Sequence, residues 1–375
     1  MRQNNFRFQI EKLLASADVQ IGGDNPWDFE VHNQNLYARL LSGGSLALGE
    51  SYMDGWWDCV SLDEFFYRIL KAKLGSKIKT WPDFFHILRA RVLNLQKGLR
   101  AYTIGTHHYD IDKNLYQHML DKRLIYSCGY WKHASTLDEA QEAKLDLVCR
   151  KLNLHPGMRI LDIGCGWGGT AKFAAENYQV EVVGITVSEK QARFAQECCR
   201  GFPIDIRLQD YRSITEVEKP FDRILSLGMF EHVGSKNYST FMRTVRDYLT
   251  DDGLFLLHTI GGSRSVIKND PWIERYIFPN SMLPSAKQIC SAIENIFILE
   301  DWENLGPNYY KTLMQWFRNF HQNWDRMKDN YDERFYRMWK YYLLSCAGSF
   351  RARENHVWQI ILSPKGIPEG YQGIR

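Results

Sequence analysis

Residues 159–169, with the sequence RILDIGCGWGG, decide the fold of this chain. The stretch opens as a short run rich in Ile and Leu, runs into closely spaced glycines and continues into a helix-compatible segment at 170–176. Gly164 and Gly166 can adopt positive φ and let a ligand approach the main chain. A strand, a tight turn and a helix in this order are typical of open α/β sheets, which bind ligands beyond the carboxyl ends of their strands.

An acidic residue, Asp162, lies two positions before the first glycine of this turn. In dinucleotide-binding proteins the Gly-x-Gly-x-x-Gly turn holds a pyrophosphate, which a carboxylate at this position would repel. A carboxylate suits a cationic ligand, such as an amino-acid ammonium or a sulfonium. The pattern Asp-x-Gly-x-Gly therefore predicts a pocket for S-adenosylmethionine. The alternative is an ordinary tight turn of an α/β protein.

The composition is that of a soluble globular protein, with 45% hydrophobic and 24% charged residues. The 375 residues exceed what one hydrophobic core usually serves, so we expect one large and one smaller domain. The chain contains no run of the roughly 18 apolar residues that would span a bilayer. Its N-terminus lacks the apolar core of a signal peptide. These features predict a cytoplasmic protein.

The eight cysteines are scattered along the chain and form no Cys-x-x-Cys pair. The sequence therefore predicts neither a zinc site nor a disulfide framework, and we expect no metal. A net charge of +3 gives no indication of nucleic-acid binding.

A basic amphipathic stretch occupies residues 71–100. It holds one acid, Asp83, and apolar side chains interleaved with eight basic residues: Lys71, Lys73, Lys77, Lys79, Arg89, Arg91, Lys97 and Arg100. Such a stretch can lie on an anionic membrane surface. The alternative is a helix that packs on its own domain and exposes a basic face to water.

Strand and helix patterns alternate after the glycine turn, which predicts a doubly wound α/β sheet. We expect strands at 159–163, 180–185, 204–208, 223–227 and 254–259, and two late strands at 296–302 and 357–362 that add an antiparallel edge, as in class I methyltransferases. Candidate capping boxes at Ser61–Glu64 and Thr136–Glu139 predict helix starts. The predicted domains are a small, mainly helical N-terminal domain at 1–97, a linker at 98–106 and a catalytic domain at 107–375.

Polar residues follow the second and third predicted strands, where a cofactor's ribose and adenine would lie. Most methyltransferases place an acid after the second strand to bind the ribose hydroxyls, but this chain has Thr186 there. Gln191, one helical turn further on, is the candidate in its place, and the alternative is a solvated helix residue. Asp210 and Tyr211 are candidates to bind and cover the adenine.

Glu231 follows the fourth predicted strand and His258 lies at the end of the fifth, and these two strands are expected to be neighbours in the sheet. A carboxylate can fix the tautomer of an imidazole, and such pairs act in proton transfer. We therefore predict a functional pair on the ligand-binding edge. The alternative for His258 is a core histidine with its hydrogen bonds satisfied.

Five stretches together resemble the cyclopropane-fatty-acyl-phospholipid synthases: GESYMDGWW at 49–57, YSCGYW at 126–131, LDIGCGWGG at 161–169, GMFEHVG at 228–234 and CAGSFR at 346–351. The resemblance covers nearly the whole chain. It includes the first domain, which the shorter mycolic-acid relatives lack. This branch shares the Thr186 departure, which supports the assignment.

The resemblance implies transfer of a methylene from S-adenosylmethionine to the cis double bond of an unsaturated phospholipid acyl chain. Methyl transfer leaves a carbocation, and loss of a proton from the new methyl closes the cyclopropane ring. Family members hold bicarbonate as the base. Its implied surroundings are Cys128, Glu231, His258, Ile260 and Tyr309, with main-chain donors at Cys128 and Ile260. Tyr126 and Ser127 are expected in the cofactor site with Asp162, Gly164, Gly166, Thr186, Gln191, Asp210 and Tyr211.

Cys346 matches a cysteine proposed as an active-site residue in this family. A thiol has no evident part in the reaction, so we expect a structural role. The resemblance also implies a homodimer that lies at the inner membrane surface as a peripheral protein. Two rivals stay open: an acyl-chain methyltransferase that makes a methyl branch or a methylene group from the same carbocation, and a membrane-associated binding protein whose cofactor pocket is a relic.

Overall fold

A computed structural model describes residues 2–74, 113–214 and 220–375 of the chain. It divides into two compact units, here called the helical unit (Met1–Leu93, Lys268–Pro279 and Tyr309–Asn355) and the sheet unit (Asn94–Ile267, Asn280–Asn308 and His356–Arg375). The predicted linker at 98–106 and most of the basic stretch, from residue 75 onwards, lie outside the described residues. The predicted domain boundary therefore stays a prediction.

The described part of the chain contains twelve α-helices: α1 Arg2–Ala15, α2 Leu36–Met53, α3 Leu62–Lys71, α4 Lys113–Met119, α5 Leu137–Lys151, α6 Gly169–Tyr178, α7 Glu189–Cys198, α8 Tyr238–Tyr248, α9 Pro271–Tyr276, α10 Ala286–Ile293, α11 Gly306–Gln322 and α12 Glu333–Arg351. Its strands are β1 Glu30–Val31, β2 Trp57–Asp58, β3 Arg159–Ile163, β4 Glu181–Thr186, β5 Ile204–Leu208, β6 Phe221–Leu227, β7 Leu249–Gly262, β8 Ile298–Asn304 and β9 Asn355–Ser363.

Seven strands form the central sheet of the sheet unit in the order β5-β4-β3-β6-β7-β9-β8. The first five strands in this order are parallel to one another, whereas β8 and β9 are antiparallel to each other. The two late strands therefore supply the antiparallel edge that the sequence predicts. The α/β fold class is confirmed.

Both faces of the sheet are buried, as β3 shows. Leu161 and Ile163 belong to the hydrophobic core on one face, and Ile160 belongs to the core on the other. Successive side chains of a strand point to opposite faces, so a strand covered on both sides needs apolar residues at nearly every position. This requirement explains why β3 reads as an apolar run.

The register brings the carboxyl ends of the parallel strands to one edge of the sheet. Asp162 lies between Gly184 of β4 and Leu225 of β6. Backbone N–H groups of the glycine turn continue this pairing, because the amides of Gly164 and Cys165 both donate to the carbonyl of Ile185, at 2.9 and 3.0 Å. The turn is thus held over the end of β4.

One of the two predicted capping boxes forms. Thr136 accepts a hydrogen bond from the amide of Glu139, and the Glu139 carboxylate accepts from the amide of Thr136. The capping box predicted at the start of α3 is wrong, because Ser61 precedes the helix without a side-chain cap bond. Glu64 instead accepts a hydrogen bond from the side chain of Arg68 at 2.8 Å, and an ion pair of this kind competes with capping.

An aromatic cluster forms the core of the helical unit. Trp57 stacks on Phe29, with ring centroids 4.5 Å apart, and lies 5.5 Å from Phe65. The short β1–β2 ladder, in which Val31 pairs with Trp57, holds this ring in place. Aromatic pairs at such distances add about 0.5–1.5 kcal/mol each beyond the area they bury.

Two glycines, Gly49 of the stretch 49–57 and Gly348 of the stretch 346–351, allow helices of the helical unit to pack closely. A Cβ at Gly49 would lie 2.3 Å from the ring of Trp272, and a Cβ at Gly348 would lie 2.6 Å from the Cβ of Phe66. The first contact packs α2 against α9, and the second packs α12 against α3. The stretches 49–57 and 346–351 therefore have a structural function within the helical unit.

Candidate functional site

A cleft of about 1220 Å³ empty volume opens at the carboxyl ends of the parallel strands of the sheet unit. All nine residues predicted to bind the cofactor line it: Tyr126, Ser127, Asp162, Gly164, Gly166, Thr186, Gln191, Asp210 and Tyr211. They come from segments spread over nearly ninety residues, and the fold brings them together. Their contacts with a cofactor stay a prediction.

Asp162 is the buried acid of this cleft. It is 2% exposed, and its Oδ2 has no hydrogen-bond partner. Burial raises the pKa of Asp162 to about 7, and the nearby ammonium of Lys144 opposes the rise. An unpartnered carboxylate oxygen in a buried site is costly unless a ligand satisfies it. The cleft is therefore suited to a positively charged ligand.

Lys144 is a residue that sequence reasoning missed. It is fully buried on α5, and its Nζ donates to Oγ of Ser127 at 3.1 Å. Gln141, one turn earlier, donates to the carbonyl of Ser127 at 2.7 Å. Two side chains of α5 therefore fix both the hydroxyl and the carbonyl of Ser127. Lys144 follows Ala140 by four residues, on the apolar face of the helix. A lysine on an apolar helix face is the signal that could have found it.

Burial lowers the pKa of Lys144 to about 8, with Asp121 as the largest opposing influence, followed by Cys128 and Asp162. Lys144 also contributes to lowering the pKa of His258. One buried cation thus interacts with the acid of the cleft and with two residues of the predicted anion site.

The glycine turn adopts the backbone that its sequence predicts. Gly164 has φ 90° and Gly166 has φ 55°. A Cβ at Gly164 would lie 2.8 Å from the Cβ of Met229, whereas a Cβ at Gly166 would meet nothing within 4 Å. Gly164 is therefore required for both its conformation and its packing, and Gly166 for its conformation.

We expect Gly164→Ala to lower the free energy of unfolding by on the order of 1–3 kcal/mol more than Gly166→Ala does, because only the first methyl forces Met229 to move. Gly166→Ala is expected to cost roughly 1–2 kcal/mol for its left-handed backbone alone. Denaturant unfolding of the two variants measures both effects. Equal losses would contradict the packing argument.

Thr186 and Gln191 interact directly. The Thr186 hydroxyl donates to Oε1 of Gln191 at 2.9 Å, and its oxygen accepts from the amide of Ser188 at 3.3 Å. Ser188 caps α7 by accepting from the amide of Gln191. The amide group of Gln191 is thus held at the wall of the cleft by a threonine in the position where an acid is usual.

Asp210 already has strong partners in the protein. Its Oδ1 accepts from the main-chain N–H and from Nε of Arg212, at 2.9 and 2.8 Å, and its Oδ2 accepts from the guanidinium of the same arginine. The neighbouring Tyr211 is buried with its ring 5.1 Å from that of Phe241. The carboxylate is therefore oriented before any ligand binds.

Glu231 lies in the 3₁₀ turn Phe230–His232, directly after β6. Its Oε1 accepts from the amide of Ile260 at 2.6 Å, and its carbonyl accepts from the amide of Met282 at 2.8 Å. Oε2 is buried and has no partner. Burial raises the pKa of Glu231 to about 7 against the hydrogen bond from Ile260. Like Asp162, this carboxylate has one oxygen available to a ligand.

His258 lies on β7 and is 2% exposed. Its Nδ1 is 3.3 Å from Nε2 of Gln359 on β9. Lys151 of α5 donates to Oε1 of Gln359 at 2.8 Å and also binds Glu303. Burial lowers the pKa of His258 well below its ordinary value, and the positive charges of Lys144 and Lys151 lower it further. The imidazole is therefore neutral.

Glu231 and His258, the predicted functional pair, each have a separate hydrogen-bond partner. Glu231 follows β6 and His258 lies within the neighbouring strand β7, but Glu231 Oε1 accepts from the amide of Ile260 and His258 Nδ1 contacts Gln359. The Ile260 N–H, which the family resemblance implies as a donor to a bound anion, donates to Glu231 here. A joint catalytic role of the two residues stays a prediction.

The other predicted catalytic residues are divided between the units. Cys128 is fully buried in the sheet unit. Tyr309 and Cys346 belong to the helical unit, where the Tyr309 ring lies 4.6 Å from that of Phe350 and 5.7 Å from that of Trp316. Their predicted roles stay predictions.

We expect Cys346→Ala to retain the turnover of the unaltered enzyme. Burial raises the pKa of the Cys346 thiol to about 12, so only about one molecule in 10⁴ would carry the reactive thiolate at pH 8. Initial rates of the variant and of Cys290→Ala, which removes an exposed cysteine, provide the comparison. A large loss confined to Cys346→Ala, with an unchanged melting temperature, would assign the thiol a chemical role.

Within the described ranges, no group of three or more His, Cys, Asp or Glu residues could hold a metal ion. No helix of these ranges is long and apolar enough to cross a membrane.

Comparison with known proteins identifies the family of the chain. The family model described as mycolic acid cyclopropane synthetase matches residues 96–360. The chain is 49% identical over 365 residues to the cyclopropane-fatty-acyl-phospholipid synthase of Escherichia coli strain K12, covering 97% of this chain and 94% of the relative. It is 34% identical over 380 residues to the probable fatty acid methyltransferase of Pseudomonas putida, covering 97% and 93%.

Among solved structures, the mycolic acid cyclopropane synthase CmaA1 in complex with SAH and CTAB matches with a TM-score of 0.65 and 33% identity, over 70% of this chain and 97% of that one. This match confirms the class I methyltransferase fold. With the family match over more than half of the chain and the 49% identity over nearly all of it, the comparisons show that the chain belongs to the mycolic acid cyclopropane synthetase family of S-adenosylmethionine-dependent methyltransferases.

Proposed function

We propose that this enzyme transfers a methylene from S-adenosylmethionine to the cis double bond of an unsaturated phospholipid acyl chain and so forms a cyclopropane ring. The observation that carries the proposal is the pair of buried carboxylates, Asp162 and Glu231, each with one oxygen that has no partner. The first lines the cofactor cleft and the second does not. Two separate positions are thus prepared for ligands.

The cleft fits S-adenosylmethionine by the chemistry of its residues. When bound, this cofactor supplies an electrophilic methyl group on a sulfonium. The unpartnered oxygen of Asp162 attracts a positive charge, and the turn at Gly164 and Gly166 exposes the main chain. The oriented amide of Gln191 is suited to hydroxyl groups, since an amide both donates and accepts hydrogen bonds.

Bicarbonate fits the region around Glu231, because the unpartnered Oε2 can accept a hydrogen bond from its hydroxyl. The residues that would hold the ion are Glu231, His258, Ile260 and the main chain at Cys128. Binding through the Ile260 N–H requires exchange of its present bond to Glu231. When bound, bicarbonate supplies a base for the proton that the substrate loses, and its negative charge favours a positively charged carbon nearby.

The side chains around the proposed bicarbonate are not arranged to donate a proton to the substrate. His258 is neutral, and the partly charged Glu231 is not among the residues that line the cofactor cleft. Burial strengthens electrostatic interactions, because the effective dielectric constant inside a protein is far below that of water. The arrangement therefore favours positive charge on the substrate and removal of a proton from it.

Incubation with vesicles of dioleoyl phosphatidylglycerol and methyl-labelled cofactor tests the function. We expect lipid mass spectra to show a gain of CH₂ per modified chain, NMR to show cyclopropane protons, and fully saturated vesicles to stay unlabelled. Turnover is expected to fall in buffer depleted of bicarbonate and to recover when the ion is restored. No transfer to any unsaturated lipid would contradict the proposal and favour a binding protein with a relic pocket.

The second candidate function is methyl transfer to the same acyl chain without ring closure, leaving a methyl branch or a methylene group. The 34% identity to the probable fatty acid methyltransferase of Pseudomonas putida supports this second candidate. The gain of CH₂ is the same for both functions. Vinyl or methyl-branch signals in the NMR spectrum of the product would select the second candidate.

We also infer that the enzyme acts as a homodimer at the cytoplasmic face of the membrane, where its phospholipid substrate lies. All eight cysteines are free, which agrees with a reducing compartment. Co-sedimentation with anionic vesicles and analytical ultracentrifugation test the two parts of this inference. A monomer that stays in the supernatant with its lipid substrate present would contradict both.

A further inference from the structure

A chain of buried polar side chains joins helix α5 to strands β9 and β7. Lys151 and Gln359 are fully buried, and His258 is 2% exposed. Lys151 Nζ lies 2.8 Å from Oε1 of Gln359, and Gln359 Nε2 lies 3.3 Å from Nδ1 of His258. Along the chain, Gln359 is 101 positions from His258 and 208 positions from Lys151.

Lys151 determines which way the amide of Gln359 points. An ammonium group has three donors and no acceptor, so the atom that it contacts must be the amide oxygen. Burial lowers the pKa of Lys151, and the hydrogen bond and negative charge of Glu303 oppose this fall and favour the charged form. Because the oxygen faces Lys151, the NH₂ group of Gln359 must face His258.

The amide orientation in turn determines the tautomer of the imidazole. An NH₂ group only donates, so Nδ1 of His258 must accept, and a neutral ring then carries its proton on Nε2. We propose that Gln359 is a positioning residue that fixes His258 in the Nε2–H tautomer, so that the ring presents a hydrogen-bond donor to the anion site. The proposal rests on the proposed function for the presence of an anion there.

The choice of tautomer matters because the two forms have opposite effects on an anion. An N–H at Nε2 donates a hydrogen bond to an oxyanion, whereas a lone pair at Nε2 repels it. An isolated neutral imidazole populates both forms. Outer partners of ligand-binding histidines fix the tautomer in the same manner, and their loss typically costs about 10–100-fold in affinity or activity.

The sheet register offers a sharp test. Glu303 of β8 and Gln359 of β9 are direct partners in the antiparallel ladder. The double variant Glu303→Gln/Gln359→Glu exchanges the two side chains and leaves a single carboxylate beside Lys151. A carboxylate at position 359 only accepts, so it reverses the tautomer and moves the proton to Nδ1. The single variant Glu303→Gln keeps the amide at 359 and is the matched control.

The experiment is ¹⁵N NMR of the full-length enzyme with labelled histidine, in which His258→Gln identifies the His258 signals among the 11 histidines. We expect protonated Nε2 in the unaltered enzyme and in Glu303→Gln, and protonated Nδ1 in the double variant. We also expect kcat of the double variant to fall about 10–100-fold relative to Glu303→Gln, with the Kd for S-adenosylhomocysteine unchanged.

A proton on Nδ1 in the unaltered enzyme would overturn the inference by itself, even if no variant folds. A double variant that changes tautomer but keeps the kcat of its control would also overturn it, because the tautomer would not matter to the reaction. Failure of the unaltered enzyme to modify any unsaturated phospholipid contradicts the proposed function and leaves the tautomer result intact.

Discussion

Glu231→Gln is expected to reduce kcat by about 10²- to 10⁴-fold, the range that a positioned proton-transfer group contributes. The glutamine can keep the acceptor for the Ile260 amide, which lies 2.6 Å from Oε1 of Glu231. At the position of Oε2, however, it places an NH₂ group, which donates where the carboxylate accepts. The site then loses both a negative charge and the acceptor proposed for the bicarbonate hydroxyl.

Cofactor binding is expected to change little in the same variant, because Glu231 does not line the cofactor cleft. Calorimetric titration with S-adenosylhomocysteine is expected to give a Kd within about threefold of the original, which is less than 1 kcal/mol. Glu294→Gln, at an exposed position of the sheet unit, is the matched control. A Glu231→Gln enzyme that loses cofactor affinity as strongly as turnover would place this residue in the wrong site.

Asp162→Asn is expected to have the opposite pattern, with loss of cofactor affinity first. Removal of one partner of a buried charge pair costs about 2–5 kcal/mol, which corresponds to a roughly 30- to 5000-fold rise in Kd. Turnover at saturating cofactor is expected to fall much less than affinity. Titration calorimetry and initial rates separate the two quantities, and Asp205→Asn, at an exposed position of β5, is the control.

The apoprotein is expected to become more stable at pH 8 in Asp162→Asn. The pKa of Asp162 is about 7 in the folded chain, compared with about 3.9 in an unfolded one. The ionised form is therefore disfavoured by folding, and this cost is complete above pH 7. Asp162→Asn removes this cost, so we expect a higher free energy of unfolding at pH 8. A lower free energy of unfolding would contradict this and indicate a structural role for the carboxylate.

Cofactor affinity is also expected to depend on pH in the unaltered enzyme. The ionised Asp162 binds a cation and the protonated form does not, so affinity is constant above about pH 7 and declines below it, by up to about tenfold per pH unit. Asp162→Asn is expected to abolish this decline. A Kd that stays constant from pH 8 to pH 5.5 would contradict the role of Asp162.

The part of the site that depends on local pattern could be predicted from the chain alone. The acid at 162 and the glycines after it lie within a few residues of one another, and the backbone that they adopt follows from glycine's tolerance of positive φ. The alternation of buried strands and helices likewise predicts which residues lie at the carboxyl edge of the sheet. Seven of the nine predicted cofactor residues that line the cleft follow from these patterns, whereas Tyr126 and Ser127 were expected from the family resemblance.

Partners distant in the chain could not be predicted in this way. The sequence predicts Glu231 and His258 as a functional pair, but it does not predict their hydrogen-bond partners, Ile260 and Gln359, which come from other positions of the sheet. Gln359 and Lys151 carry no motif, and they become significant only when β9 and α5 bring them to His258. Glu64, three residues after Ser61, likewise matches a capping box in sequence but accepts a hydrogen bond from Arg68 in the folded chain.

The sequence by itself predicted the fold class, the strand and helix that flank the glycine turn and the acid of the cleft, because periodicity, glycine conformation and charge act over short distances along the chain. Only the tertiary structure decided that α9 and α12 pack with the N-terminal helices, that Lys144 is buried behind Ser127 and that Gln359 contacts His258. The Lys144–Ser127 contact spans 17 residues of the chain and the Gln359–His258 contact spans 101, and no local pattern encodes how side chains pack across such separations.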